Sequence, residues 1–252
     1  MTQQPQEPLV GASAEAPAEA AGLGEPTLAE DLLLLLFQPD SGLQQGTGVI
    51  AGENTLFYVL AGAVLADLAL DERVTTTTTR IGTVKVEAVE GRAPSDEILR
   101  SAWDYVSDKP RSVQAVLPAI GPTLREPLLE RLIARGDIRK VNRKALGLFK
   151  TTVLEDGGSG RRASLLKDVR DVLVDGMEPT PRVAALAALI WGSDTLHQFD
   201  PEIPWTSSVI TRAQELERGN WGAGAAGEAV ARTMDAIIAS NAIIAATVLP
   251  RN

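Results

Sequence analysis

The chain has 252 residues, of which 44% are hydrophobic and 23% are charged, and its formal net charge is −9. This length suffices for one large hydrophobic core or two small ones. The sequence contains no cysteine and one histidine, His197, which excludes disulfides and thiol nucleophiles and leaves little for a metal centre. We therefore expect no metal and no cofactor.

The first 26 residues are rich in alanine, proline, glycine and glutamate and contain no lysine or arginine. This composition predicts a disordered, acidic, Ala/Pro-rich tail over residues 1–26. It lacks the basic start and the apolar run of a secretory signal. The apolar stretches at 32–37 and 234–249 are shorter than the roughly 20 residues that span a bilayer. We therefore expect a cytoplasmic protein without a transmembrane helix.

Helix signals begin at Thr27, which has the spacing of a capping box with Glu30. The EDLLLLLF that follows is apolar on nearly every side, which predicts a buried helix. A second apolar helix is predicted for Leu56–Leu70. The β-branched residues at 74–80 and 83–89 predict a pair of strands.

The second half of the chain is predicted to be mostly helical. Thr180-Pro181 is a cap followed by proline at the first helical position, which opens a helix through Trp191. The elements show no strand–helix alternation. The predicted fold is therefore mainly α, a single-domain bundle of about eight helices with one or two short β-hairpins, over residues 27–252. Further helices are predicted at 95–107, 165–173, 207–218 and 223–247.

A central helix is predicted to begin near Thr123, with Glu126 at the spacing of a second capping box, and to end at Gly136. A basic hairpin follows, with strands at 138–141 and 145–149 around Asn142-Arg143.

Three arginines of the central helix have distinct positions on the helical wheel. Arg131 and Arg135, four residues apart, lie at the edge of the apolar half, and Arg125 lies in its middle. A guanidinium in an apolar arc needs an internal acid, a route to solvent or an anionic ligand. Arg125 is therefore the candidate ligand for one particular phosphate, with an internal acidic partner as the alternative.

Charge is distributed unevenly along the chain. Twelve of the 24 basic residues lie between Arg125 and Arg170 with only six acidic residues, so this segment is +6 and the remainder is −15. We interpret the split as unnecessary for folding and as a sign of a basic face on an acidic body. A basic residue near an anionic leaflet contributes about 1 kcal/mol to binding.

The charge distribution predicts peripheral binding to an anionic phospholipid membrane. The alternatives are that the cations form a solvated face and that the apolar residues pack the hairpin onto the core. The predicted membrane-facing patch comprises Arg131, Arg135, Arg139, Lys140, Arg143 and Lys144, and the predicted apolar contacts are Leu146, Leu148 and Phe149.

Four segments resemble, in order and spacing, the Golgi phosphoprotein 3 family, whose domain also occurs in actinobacterial proteins. They are TLAEDLLLLLF, LAGAVLADLAL, LREPLLERLIARGDI with RKALGLFKTT, and RVAALAALIWGSDTL. The resemblance implies a mainly α-helical domain that sits on membranes as an adaptor, not an enzyme. Eukaryotic members bind phosphatidylinositol 4-phosphate and help to retain glycosyltransferases, which implies membrane-protein clients. The family's hydrophobic hairpin aids membrane contact and self-association, and it matches residues 138–149.

The resemblance also implies a headgroup pocket. Arg125 matches the second of two pocket arginines, whereas the first falls on Pro122, a further arginine falls on Ala61, and the pocket tryptophan falls near Gly52. The family's basic coat-binding N-terminus is replaced here by the acidic tail. We therefore expect general recognition of anionic lipid and no coat-protein partner.

Two other function classes are weighed against membrane binding. A helix that ends in glycine before a basic hairpin also describes part of a winged helix, but the acidic total charge disfavours nucleic acid as a partner. No P-loop, G-x-S-x-G or H-E-x-x-H occurs, and Ser193, Asp194 and His197 need not converge. Asp67 and Asp235, which lie in apolar helices, are expected to pair with buried arginines.

Overall fold

The computed structural model describes residues 22–39, 47–145, 149–219 and 236–237. Within these residues the predicted fold class is confirmed, because the chain is mainly helical with small antiparallel sheets. The helices are α1 Leu28–Leu36, α2 Leu56–Leu70, α3 Glu97–Ser107, α4 Val113–Ile120, α5 Arg125–Ala134, α6 Arg161–Leu173, α7 Pro181–Gly192 and α8 Ser207–Glu217.

The strands of the described residues are β1 Phe37–Gln38, β2 Val49–Ile50, β3 Val74–Thr78, β4 Val84–Ala88, β5 Arg111–Ser112, β6 Ile138–Ala145 and β7 Phe149–Asp156. They form three antiparallel sheets, ordered β1-β2, β3-β4-β5 and β6-β7. The predicted strand pair at 74–80 and 83–89 is confirmed as β3 and β4.

The core is built around α1 and α2. All nine residues of α1 are buried, and the helix packs against α2, α5, α6 and α7. The predicted capping box is confirmed: the Glu30 amide donates to Thr27 Oγ1 at 3.2 Å, and the Thr27 amide donates to the Glu30 carboxylate at 2.9 Å. Helix α2 has the predicted bounds and is apolar all round, as a central helix must be.

One helix was not predicted, and one predicted helix lies outside the described residues. Helix α4 contains Pro118 and has no side-chain cap, and both features argue against a helix when the sequence is considered alone. It is stabilised by burial of Val113, Val116, Leu117 and Ile120. The helix predicted at 223–247 falls almost wholly outside the described part of the chain.

The start of α5 differs from the prediction. Thr123 forms no capping box, because it belongs to a 3-10 turn, Gly121–Thr123, and its hydroxyl donates to the Ile120 carbonyl at 3.0 Å. The helix therefore begins at Arg125. Its end agrees with the prediction, because Gly136 adopts φ +76°, the left-handed conformation that glycine tolerates best.

The hairpin after α5 is longer than predicted, and the predicted turn was wrong. Asn142 and Arg143 lie within β6 opposite Thr152 and Thr151, and the strands pair continuously from Ile138↔Asp156 to Ala145↔Phe149. Asn142-Arg143 lacks the glycine that a tight two-residue turn favours, whereas the β-branched residues at 151–153 supply a good partner strand. Residues 146–148, between the strands, lie outside the described residues.

Candidate membrane-binding surface

Strands β6 and β7 form a two-stranded hairpin that we call the basic ribbon. Three of its predicted membrane-facing cations are accessible: the side chains of Arg139, Lys140 and Arg143 are 63%, 40% and 33% exposed. Strand alternation places Arg139 and Arg143 on one face and Lys140 on the other. The basic ribbon therefore presents positive charge on both faces.

The distal end of the basic ribbon carries the remaining predicted contacts. Lys144 pairs with Lys150 in the strand register, and Phe149 pairs with Ala145. The side chains of Lys144 and Phe149 lie outside what the structure describes, as do Leu146 and Leu148. Their contact with a membrane stays a prediction.

One carboxylate holds the two arginines of the basic ribbon. Arg139 Nε and Nη2 lie 3.1 and 2.9 Å from Glu155 Oε2, and Arg143 Nε and Nη2 lie 2.9 and 2.5 Å from Glu155 Oε1. We call these three residues the arginine fork. The hydrogen bond from Arg143 lowers the pKa of the Glu155 carboxyl. On the opposite face, Lys140 Nζ lies 3.2 Å from Glu126.

The structure contradicts the prediction that Arg131 and Arg135 face a membrane. Their side chains are only 14% and 12% exposed, and both reach Glu30, which is fully buried. Arg135 Nε donates to Glu30 at 2.7 Å, and Arg131 Nη1 lies 2.5 Å from Asp96. The two arginines point inward because α1 carries buried acids that require positive partners.

These pairs belong to a larger group that we call the buried ion-pair network. Asp31, 5% exposed at its side chain, contacts Arg161 at 2.5 Å and Arg182 at 2.5 Å, and Arg161 also pairs with Asp137. The network comprises Glu30, Asp31, Asp67, Asp96, Asp137, Arg131, Arg135, Arg161 and Arg182.

The buried ion-pair network explains part of the uneven distribution of charge along the chain. Our interpretation that the split is unnecessary for folding was wrong, because arginines of the basic segment neutralise acids of α1 and of the loop before α3. The network also reaches into the predicted tail: Arg135 donates to the carbonyls of Leu23 and Gly24, and Arg182 donates to that of Pro26. Residues 1–21 lie outside the described residues, so disorder there stays a prediction.

Asp67 is predicted to pair with a buried arginine, and it does pair with an arginine, but that partner, Arg182, is 36% exposed at its side chain. The Asp67 carboxylate accepts from the Leu28 amide at 2.6 Å and lies 3.4 Å from Arg182 Nη1. Burial raises the pKa of Asp67 to about 6, although Arg182 and the Leu28 amide act in the opposite direction. Asp235 lies outside the described residues.

We expect Asp67 to make stability fall as pH rises. Its pKa is about 6 when folded and near 3.8 when unfolded, so the folded state binds the proton more tightly. The stabilising effect is complete below the unfolded pKa and is lost as pH rises through about 6. One pKa unit corresponds to about 1.4 kcal/mol, so the free energy of unfolding should fall by about 3 kcal/mol relative to Asp67→Asn.

Urea denaturation of both proteins between pH 3.5 and 7 measures this difference. Asp108→Asn is the matched control, because Asp108 lies at the end of α3 with its side chain 75% exposed. If the free energy of unfolding of the parent instead rose with pH relative to Asp67→Asn, the ion pair with Arg182 would stabilise the charged carboxylate by more than burial destabilises it.

A cleft of about 630 Å³ borders the network, between residues 22–27 and the start of α3. Its lining mixes Arg73, Arg131 and Arg182 with Asp67 and Asp96. Three arginines but five acidic residues line the cleft, the acids being Glu25, Asp67, Asp71, Asp96 and Glu97, so it offers no excess of positive charge to an anionic ligand. The exposed cations of the basic ribbon are the stronger candidate site.

Arg125 lies at the surface, at the first position of α5, and not in an apolar environment. Its side chain is 40% exposed, and its Nε donates to Glu53 at 2.7 Å. An acid of the same chain is therefore the partner that the structure shows, although Glu53 is 53% exposed and not internal, and the headgroup role of Arg125 stays a prediction.

The serine–aspartate–histidine sequence near the end of α7 has other local contacts. Ser193 is buried, and its hydroxyl donates to the Ile190 carbonyl at 2.8 Å. The ring of His197 packs edge-on against Trp205, with centroids 5.9 Å apart. These contacts favour structural roles for both residues.

A family model described as Golgi phosphoprotein 3 matches residues 28–233. The chain belongs to the Golgi phosphoprotein 3 family. No curated protein sequence matches the chain. The matched range contains every residue of the buried ion-pair network and the whole basic ribbon. Membership suggests a phosphoinositide-binding adaptor, and the family is not an enzyme family.

The positions that the sequence analysis assigned to the family's headgroup pocket supply little charge here. Gly52 has φ +67°, and a Cβ there would lie 2.7 Å from Thr195 Cγ2, so a larger residue does not fit this backbone. Ala61 is fully buried in α2, and Pro122 lies in the 3-10 turn. Of these four positions, only Arg125 carries a cation.

Within the described residues, no helix is both long and apolar enough to cross a membrane. The acids that pair with the buried arginines of this family member were not predicted from the sequence. One signal was available: Glu30 and Asp31 stand in a helix that is otherwise leucine and alanine, and buried acids require arginine partners.

Proposed function

We propose that this chain binds anionic phospholipid membranes peripherally through the basic ribbon and acts as an adaptor. The observation that carries the proposal is the exposure of Arg139, Lys140 and Arg143 on the two faces of one hairpin. Three cations near an anionic leaflet contribute about 3 kcal/mol together, which gives weak, salt-sensitive binding. Insertion of Leu146, Leu148 and Phe149 would add to it.

Family membership supports the adaptor role, with membrane proteins as clients and self-association through the same hairpin. A phosphoinositide-like headgroup is the ligand that membership suggests, with Arg125 as its one charged pocket residue. The altered positions Gly52, Ala61 and Pro122 favour general recognition of anionic lipid. The burial of Arg131 and Arg135 removes charge from α5 and so does not favour the alternative, in which α5 would serve as a recognition helix for nucleic acid.

Co-sedimentation with vesicles of rising phosphatidylserine content tests the proposal. We expect binding that increases with anionic content and weakens at high salt, whereas duplex DNA should not bind. The variant carries Arg139→Gln, Lys140→Gln and Arg143→Gln, because glutamine can still hydrogen-bond to Glu155. Loss of about 3 kcal/mol corresponds to roughly 100-fold weaker binding.

A matched variant distinguishes the loss of cations from the basic ribbon from the loss of the same amount of charge elsewhere. Arg80, Lys85 and Lys109 are exposed elsewhere on the surface, and changing all three to glutamine gives the same loss of charge. This control should bind almost as the parent does. Equal weakening by both triple variants would remove the site from the basic ribbon, and no binding of the parent to any anionic vesicle would refute the proposed function.

A further inference from the structure

In the arginine fork, one carboxylate holds the guanidinium groups of two arginines in fixed orientations. Arg139 and Arg143 each approach Glu155 with Nε and Nη2, the side edge of the guanidinium. The two contacts use different carboxylate oxygens, so one carboxylate fixes two guanidinium planes. An arginine held in this way has lost its rotational freedom before any ligand arrives, which favours tight binding.

Within the arginine fork, the carboxylate is nearly buried and the two arginine side chains are more exposed. The Glu155 side chain is 10% exposed, whereas those of Arg139 and Arg143 are 63% and 33% exposed. The carboxylate thus lies beneath the guanidiniums and shows almost none of its charge to solvent. A ligand that approaches this face of the basic ribbon meets two cations.

We infer that the arginine fork binds a phosphate monoester, presented by a lipid headgroup such as that of phosphatidic acid; this inference rests on the proposed membrane-binding function. A phosphate monoester carries close to two negative charges at neutral pH and three terminal oxygens. Together with Glu155, the two guanidiniums carry a net charge of +1, and they can donate to several phosphate oxygens at once. A phosphodiester, as in phosphatidylserine, offers one charge and two such oxygens.

Glu155 is then a positioning residue. This role predicts that removing its charge weakens the preference for a phosphate monoester, whereas simple electrostatics predicts stronger binding to every anionic membrane. Removing its charge makes the basic ribbon more positive by one, which alone would strengthen binding to every anionic membrane. If Glu155 positions the arginines, its removal instead lowers the preference for the monoester. Glu126→Gln is the matched control, since it also removes one carboxylate that pairs with a cation of the basic ribbon, Lys140.

The experiment uses the full chain and vesicles that contain phosphatidic acid or phosphatidylserine, matched in surface charge. We expect the parent to bind phosphatidic acid about tenfold more tightly, as one additional charge-assisted contact would give. Glu155→Gln should reduce this preference to about twofold or less while phosphatidylserine binding is kept or strengthened. Glu126→Gln should strengthen binding to both lipids and keep the preference.

Arg143→Lys is a second variant that keeps the charge and removes the planar fork, and it should also lose the preference. Glycerol 3-phosphate distinguishes the sources of the ligand: competition shows that the site reads the phosphate itself, and its absence shows that the site reads it only on a membrane. A preference unchanged in both variants would overturn the inference. Failure of the parent to bind vesicles of either anionic lipid would instead refute the proposed function.

Discussion

Replacing Glu30 by glutamine is expected to lower the free energy of unfolding by about 3 kcal/mol. Glu30 is fully buried, accepts from Arg135 Nε at 2.7 Å and lies 3.6 Å from Arg131 Nη1. Glutamine can still accept from the Thr27 amide, so the change leaves the capping box and removes the charge. It leaves buried guanidiniums short of a partner, and breaking a buried ion pair costs about 3–5 kcal/mol.

Equilibrium denaturation in urea measures this loss. Glu130→Gln is the matched control, because it makes the same chemical change on the exposed side of α5, where surface substitutions stay within about 0.5 kcal/mol. If the two variants lost equal stability, the buried ion-pair network would have no net role in holding α1 against α5.

The second large effect is expected at Gly157, where β7 ends against the turn between α5 and β6. A Cβ at this position would lie 1.9 Å from the Gly136 carbonyl oxygen and 2.6 Å from its carbon, both main-chain atoms. The Gly157 amide also donates to the Asp137 carbonyl at 2.9 Å. Gly157→Ala must therefore separate the base of the basic ribbon from α5, and we expect a loss of about 3 kcal/mol.

Thermal and urea unfolding of Gly157→Ala, compared with Gly22→Ala, test this expectation. Gly22 has nothing within 4 Å of an added Cβ. The Gly157 variant should also bind vesicles less well, because its exposed arginines depend on the register of the basic ribbon. A fully stable Gly157→Ala protein would mean that the hairpin base accommodates a methyl group by a shift of the main chain.

Helices with strong local signals were predictable from the sequence. Helix α2 was predicted with its observed bounds, because a 15-residue apolar run between turn residues is too long for a strand and indicates a buried helix. Thr180 and Pro181 open α7 as predicted, with the Thr180 hydroxyl accepting from the Val183 amide. Helix α4 was missed although Val113, Val116, Leu117 and Ile120 have helical spacing, because the helix is only eight residues long and contains Pro118.

The candidate site was predictable only in part, since a sequence shows where charges lie along the chain but not which ones meet. Arg131 and Arg135 are spaced as Arg139 and Arg143 are, four residues apart. The first pair meets an acid 105 positions away from Arg135 in sequence, and the second meets Glu155 across one hairpin. Local pairing follows from strand register, whereas the burial of α5 arginines depends on the packing of the whole domain.

The buried ion-pair network has a consequence for how the chain folds during its synthesis. Asp31 and Arg182 are 151 positions apart. At about 5–20 residues per second, a ribosome makes Arg182 roughly 8–30 s after Asp31. Glu30 gains its partners only when Arg131 and Arg135 are made, and Asp31 only when Arg161 and Arg182 are made, so the leucine-rich α1 cannot join a finished core before then. Folding of this domain therefore waits for its C-terminal half, and the nascent EDLLLLLF segment depends on its two charges to stay in solution.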